Sequence, residues 1–132
     1  TLAETRRLME HTNPDYVWLC YDTGHFTFSG EDAVQAAKEF APRIGHVHLK
    51  DIRQTKMQQA YTEGYKFRKA VLEGCFSIPG DGCVDFPGVF KALDAAGYQG
   101  WLIVEAEQDP AKANPFEYAL LARDYIRKTA GI

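Results

Sequence analysis

Apolar and polar positions along this chain repeat with two periods. Residues 2–11 set Leu2, Leu8 and Met9 among Glu4, Arg6, Arg7 and Glu10, the spacing of a short amphipathic helix. Asn13-Pro14-Asp15 breaks it. An apolar run from Tyr16 through Val17, Trp18, Leu19, Cys20 and Tyr21 then ends abruptly at Asp22, which predicts a buried strand. Ser29-Gly-Glu-Asp32 supplies an N-cap and an acidic first turn for a helix over 31–41, with Ala33, Val34, Ala37 and Phe40 as its stripe and Pro42 as its stop. A second strand follows over 44–50. Residues 51–76 change character, becoming polar and studded with aromatics, and read as a long loop with helical pieces, a length often given to lids or binding loops. Pro87 suits the first turn of a helix over 86–96 with Gly97 beyond its end. A third strand spans 101–107, and Pro115 starts a last helix to about 128 with Phe116, Ala119, Leu120, Ala122, Tyr125 and Ile126 turned inward. Apolar strands alternating with amphipathic helices indicate a parallel sheet covered by helices, the pattern of a (β/α)8 barrel or a doubly wound sheet.

In both architectures function collects at the C-terminal ends of the strands. Each of the three strands here ends in chemistry: Asp22 and His25 after the first, His46, His48, Lys50 and Asp51 on the second, Glu105 and Glu107 on the third. Side chains alternate along a strand, so His46, His48 and Lys50 share one face, Glu105 and Glu107 share one, and Asp22 lies on the side of Cys20 and Trp18. If those faces converge, Asp22, His48 and Glu105 meet around one point. An oxygen-rich set with one imidazole suits Mn²⁺, Mg²⁺, Co²⁺ or Zn²⁺ better than a soft metal. A cation there relieves repulsion between carboxylates, polarises a carbonyl and stabilises an enolate. Trp18 and Trp101 read as core residues, Cys20 as a buried thiol, His11, Glu31, Asp32 and Asp94 as surface groups, and Asp81 and Asp85 as turn and cap residues.

Composition narrows the classes. The 132 residues are 45% hydrophobic and 25% charged, which implies a packed globular core in one domain or part of a larger one. A net charge of -3 without a basic run excludes an electrostatic nucleic-acid or membrane surface. There is no GxGxxG and no Walker A pattern, and no run long enough to span a membrane. Three cysteines without a CxxC pair imply a reducing compartment, the cytoplasm.

Four ordered motifs carry a resemblance: Asp22-Thr-Gly-His25, His46-Val-His48-Leu-Lys-Asp51, Gly80-Asp-Gly-Cys-Val-Asp85-Phe86 and Trp101-Leu-Ile-Val-Glu105. Together they resemble the xylose-isomerase-like, sugar-phosphate isomerase/epimerase family of TIM barrels. Val104-Glu-Ala-Glu-Gln-Asp-Pro110, with Phe76-Ser-Ile-Pro-Gly-Asp-Gly before it, resembles more narrowly the inosose dehydratases of myo-inositol catabolism. The resemblance implies a metal held by Glu, Asp, His and Glu from strands five to eight, with Asp22, His48 and Glu105 matching the last three and Mn²⁺ or Co²⁺ as the ion. It implies catalytic roles for His25, Lys50 and Glu105, and substrate contacts from His25, Lys50, Arg53 and Glu107. The strand-five Glu has no counterpart, so the expectation is the C-terminal portion of a barrel, strands six to eight, forming one partial domain over 1–132 with an insertion at about 51–76. The implied activity is a metal-dependent lyase that dehydrates a keto-cyclitol. The rivals are a ketose epimerase or isomerase on the same site, phosphodiester cleavage, and a non-catalytic barrel fragment. Expected partners are a small polyol substrate and either further copies or the remainder of the barrel.

Overall fold

The computed structural model describes residues 1–132. The elements in order are α1 (Leu2–Glu10), β1 (Leu19–Asp22), α2 (Thr23–Phe28), α3 (Ala33–Phe40), a 3₁₀ turn at Ala41–Arg43, β2 (Ile44–Leu49), β3 (Asp51–Ile52), α4 (Gln54–Thr62), α5 (Phe67–Leu72), β4 (Phe76–Ser77), α6 (Phe86–Ala95), β5 (Leu102–Val104) and α7 (Pro115–Ala130). Strands β1, β2 and β5 form a parallel sheet with β2 in the middle, and β3 and β4 form a separate antiparallel pair.

Local chemistry fixes the helix starts. Thr1 and Glu4 form a reciprocal capping box on α1. Asp32 accepts from the Val34 and Gln35 N–H groups to start α3, and Asp85 accepts from Gly88 to start α6. Arg43 then ties the end of α1 to the approach to β1, donating to the carbonyls of Met9 and Val17 at 2.8 Å each.

The sheet has two unlike faces. Tyr21, Val47 and Leu49 point to one and are fully buried against α3 and α6, where Ala36, Ala37, Phe86 and Val89 meet them. Small alanines on α3 let α6 approach closely. The other face carries Trp18, Cys20, His46, His48, Trp101 and Ile103 and is uncovered. Trp18 is therefore 56% exposed and Trp101 75% exposed, and the Cys20 thiol is exposed as well. Alternation put all three on the same face as the site, and no layer lies over it. The final helix is likewise half unpartnered: Ala122 and Ile126 pack inward, whereas Phe116, Ala119 and Leu120 are exposed.

Segment 51–76 is built rather than loose. Strands β3 and β4 frame helices α4 and α5, which close over their own small core of Ile52, Ala60, Ala70, Cys75 and Phe76. No helix is long and apolar enough to cross a membrane.

Candidate functional site

Strand register assembles the site. Asp22, the last residue of β1, pairs with His48 of β2, and His48 pairs with Ile103 of β5. The Glu105 N–H donates to the Leu49 carbonyl at 3.3 Å just past the end of β5. Three neighbouring strand ends thus deliver Asp22, His48 and Glu105 to one level, with one ligand atom from each within 4.8 Å of the others. His48 Nδ1 stands 2.8 Å from Glu105 Oε2 and 3.6 Å from Asp22 Oδ2. His46 lies behind, its ring edge-on to that of His48 at 5.4 Å.

The two oxygens of Asp22 have different tasks. Oδ1 accepts the His25 N–H at 2.9 Å and so caps α2. Oδ2 is buried, makes no hydrogen bond, and has the Lys50 ammonium 3.3 Å away as its ion-pair partner. It faces the His48 ring and is available as a ligand atom. An Asp oxygen, a His nitrogen and a Glu oxygen at mutual contact distance suit a hard or borderline divalent cation. These three residues therefore fit such a metal.

Lys50 fills the centre of the carboxylates. It is fully buried, and its ammonium lies 2.6 Å from Glu107 Oε2, 3.1 Å from Glu105 Oε2 and 3.3 Å from Asp22 Oδ2. Burial disfavours its charge, but the bonds to Glu107 and Glu105 and the Asp22 charge outweigh that and hold its pKa above the ordinary lysine value. For Glu105, burial pushes upward, and Lys50 and then His48 pull harder, so its carboxyl sits below the usual range. His25 Nε2 is 3.1 Å from the Lys50 ammonium. An ammonium only donates, so Nε2 accepts and the ring proton belongs on Nδ1. The His25 ring stacks on Phe67 at 5.5 Å and tilts against Phe76 at 5.9 Å.

The third strand is shorter than the pattern predicts. It ends at Val104, and Glu107 takes a left-handed backbone with φ 46°. That region is costly for a non-glycine residue and is often found where a side chain must be aimed. Here it brings Glu107 to Lys50. Arg53 is not brought to the cluster. It binds Asp81 at 2.5 Å and the Gly74 carbonyl at 2.9 Å, pinning the β3–β4 pair to the following turn.

Sequence reasoning missed two supports. Thr23 is fully buried, and its hydroxyl accepts from the Lys50 N–H at 2.9 Å and donates to the Lys50 carbonyl at 2.7 Å. Its signal was its place directly after Asp22. Phe67, the wall beside His25, sat in a stretch without clear periodicity and had no signal.

A model of the xylose isomerase-like TIM barrel matches residues 1–129. The chain belongs to the xylose isomerase-like TIM barrel family. It is 57% identical over 132 residues to an inosose dehydratase of Geobacillus thermodenitrificans, covering 100% of this chain and 44% of that one. It is 50% identical over 131 residues to an inosose dehydratase of Clostridium beijerinckii, covering 99% and 44%. The chain therefore spans less than half the length of these curated relatives. Among solved structures, a xylose isomerase domain protein from Alicyclobacillus acidocaldarius superposes with a TM-score of 0.70 at 21% identity, covering 99% of this chain and 43% of that one. An L-ribulose 3-epimerase does so with a TM-score of 0.65 at 23% identity, covering 99% and 42%. Both likenesses concern the fold. As a xylose isomerase-like chain it is part of a TIM barrel, and its polar cluster stands at the C-terminal strand ends, where such barrels place their chemistry.

Proposed function

We propose that this chain carries the metal-binding rim of a hydro-lyase that dehydrates 2-keto-myo-inositol (inosose) to a trihydroxycyclohexanedione in inositol catabolism. The observation that carries the reading is the Asp22–His48–Glu105 cluster, and the inosose dehydratase relatives at 50–57% identity supply the substrate class. Asp22, His48 and Glu105 would hold a divalent cation, with Mn²⁺ or Co²⁺ preferred and Mg²⁺ or Zn²⁺ compatible with the same donors. Bound there, the cation supplies Lewis acidity to the ketone and its neighbouring hydroxyl.

The rest falls to the chain's own side chains. Loss of water requires removal of the proton alpha to the ketone and protonation of the departing β-hydroxyl, so one proton leaves carbon and one reaches oxygen. Lys50 holds the acidic proton beside the cluster, within reach of the hydroxyl, and His25, whose Nε2 accepts from it at 3.1 Å, is the partner able to relay that proton. Glu105, held ionised by Lys50 and His48, is the carboxylate able to receive the carbon-bound proton. Glu107 fixes Lys50 and offers an acceptor to a substrate hydroxyl. Phe67 and Phe76 shield one side of His25 from water. The bacterial relatives and the three unpaired cysteines support a cytoplasmic setting.

The test is His48→Ala in the full-length protein. Turnover of inosose, followed by formation of the dione, should fall to the background rate, with a ketose assayed in parallel for epimer formation. Undiminished dehydration by the variant would remove the assignment, and epimer formation without water loss would move it to the epimerases.

A further inference from the structure

The Lys50 side chain is held by two devices before it reaches the carboxylates. Its backbone N–H and carbonyl are both bound by the Thr23 hydroxyl. Its stem runs under the first turn of α2, where Gly24 leaves the space: a Cβ on Gly24 would lie 2.6 Å from Lys50 Cγ and 2.8 Å from its Cβ. Only the ammonium end is free to choose among acceptors: beside His25 Nε2 at 3.1 Å it has three carboxylate oxygens. Two of them, Asp22 Oδ2 and Glu105 Oε2, are the oxygens that also face the His48 ring. The third, Glu107 Oε2, belongs to Lys50 more closely, at 2.6 Å against 3.1 Å and 3.3 Å.

We propose that Lys50 is a built-in counter-cation of this site, shared between Glu107 and the metal ligands, which a divalent cation must push onto Glu107 as it binds. The inference rests on the metal reading above and adds a consequence to it. An ammonium and a divalent ion compete for the same two oxygens, and at contact distance in a shielded site their mutual repulsion is large. Glu107 is what makes the exchange possible, because it gives the displaced ammonium a partner. Charge counting agrees. Within this chain, Asp22, Glu105 and Glu107 carry three negative charges and Lys50 one positive, so the net charge stays negative enough for a divalent ion with Lys50 still in place, and the further Glu ligand that the family resemblance implies would only add to it. Lys50 thereby sets how tightly the ion is held and keeps the ammonium beside it.

The probe is Mn²⁺ alone, titrated near neutral pH into chelator-stripped full-length protein, with the free-ion resonance signal giving Kd. Lys50→Met should bind Mn²⁺ about tenfold or more tightly than wild type. Glu107→Gln should bind it several-fold more weakly, and that weakening should largely disappear in the Lys50→Met background, the signature of two coupled residues. Unchanged or weaker binding by Lys50→Met overturns the proposal. So does a Glu107→Gln loss that persists at full size without Lys50, because Glu107 would then be a ligand itself. If Lys50→Met does not fold, Glu107→Gln alone decides, and equal affinity with wild type overturns the idea. Wild-type binding that His48→Ala abolishes, with Lys50→Met unaltered, sinks this proposal and leaves the metal site standing. No Mn²⁺ binding by the wild type sinks both.

Discussion

Asp51 lies one residue beyond Lys50, and its carboxylate serves the backbone. One oxygen accepts from the Ile52 N–H at 2.8 Å and the Val84 N–H at 3.0 Å, and the other accepts from Gly80 at 3.0 Å. These bonds fold the 80–84 turn against β3. Gly80 itself holds φ +92°, and any side chain there would also run into the Tyr125 ring of α7. Burial pushes the Asp51 carboxyl upward from its ordinary 3.8, and the three N–H donors only partly offset that. The folded state therefore keeps the proton to higher pH than the unfolded chain does. The stability contributed by this group is complete below pH 3.8 and is lost as pH rises through the raised folded value. Asp51→Asn turns an N–H donor toward the Gly80 N–H, and it should cost about 1–3 kcal/mol at neutral pH. In urea unfolding, the gap between wild type and variant should be widest in acid and narrow as the pH rises. A gap independent of pH would contradict the assignment of the shift to Asp51.

At the scale of elements, the joint between β1 and α2 decides how well the site is aimed. Asp22 ends the strand, caps the helix and offers its second oxygen to the cluster, while Thr23 clamps the end of β2. Thr23→Val keeps the shape but leaves the Lys50 N–H and carbonyl without their partner. We expect about 1–3 kcal/mol of destabilisation, seen as a lower urea midpoint with unchanged slope, and faster hydrogen exchange at the Lys50 amide. This joint was also where the sequence was hardest to read. The run Thr-Gly-His-Phe-Thr-Phe has weak helix formers and a glycine, so no helix is predicted over 23–28, and only the cap on Asp22 and packing of Phe26 on Tyr21 and Phe40 hold one there. By contrast, α1, α3 and α6 were legible because each has a cap and an apolar stripe of helical period. The convergence of Asp22, His48 and Glu105 was legible because strand alternation and parallel order fix it. Alternation says which side chains share a face and nothing about whether that face is covered. That is why Trp18, Cys20 and Trp101 read as core, although they are exposed.

For the whole molecule, that open face is the dominant physical fact. The sheet has three strands, so β1 and β5 each present an unpaired edge. Around them Tyr16 at 82%, Trp18 at 56% and Trp101 at 75% exposure leave large aromatic surface in water. Most of a strand-edged, aromatic surface of this kind in soluble proteins is covered by further structure. The relatives, of which this chain spans 44%, have the length to supply it. The opposite face is independently packed, with Tyr21, Val47, Leu49, Phe86 and Val89 fully buried, so residues 1–132 contain a core able to keep their secondary structure without that cover. Expressed alone, residues 1–132 should therefore be helical by circular dichroism and yet associate, binding a hydrophobic dye and sedimenting above monomer mass. Trp18→Ser together with Trp101→Ser should reduce both dye binding and association while leaving the helical signal in place, because neither indole supports the buried core. A monomer that binds no dye would mean that the edges and the indoles are stable in water as they stand, and that the site's three strands do not depend on neighbouring strands for their arrangement.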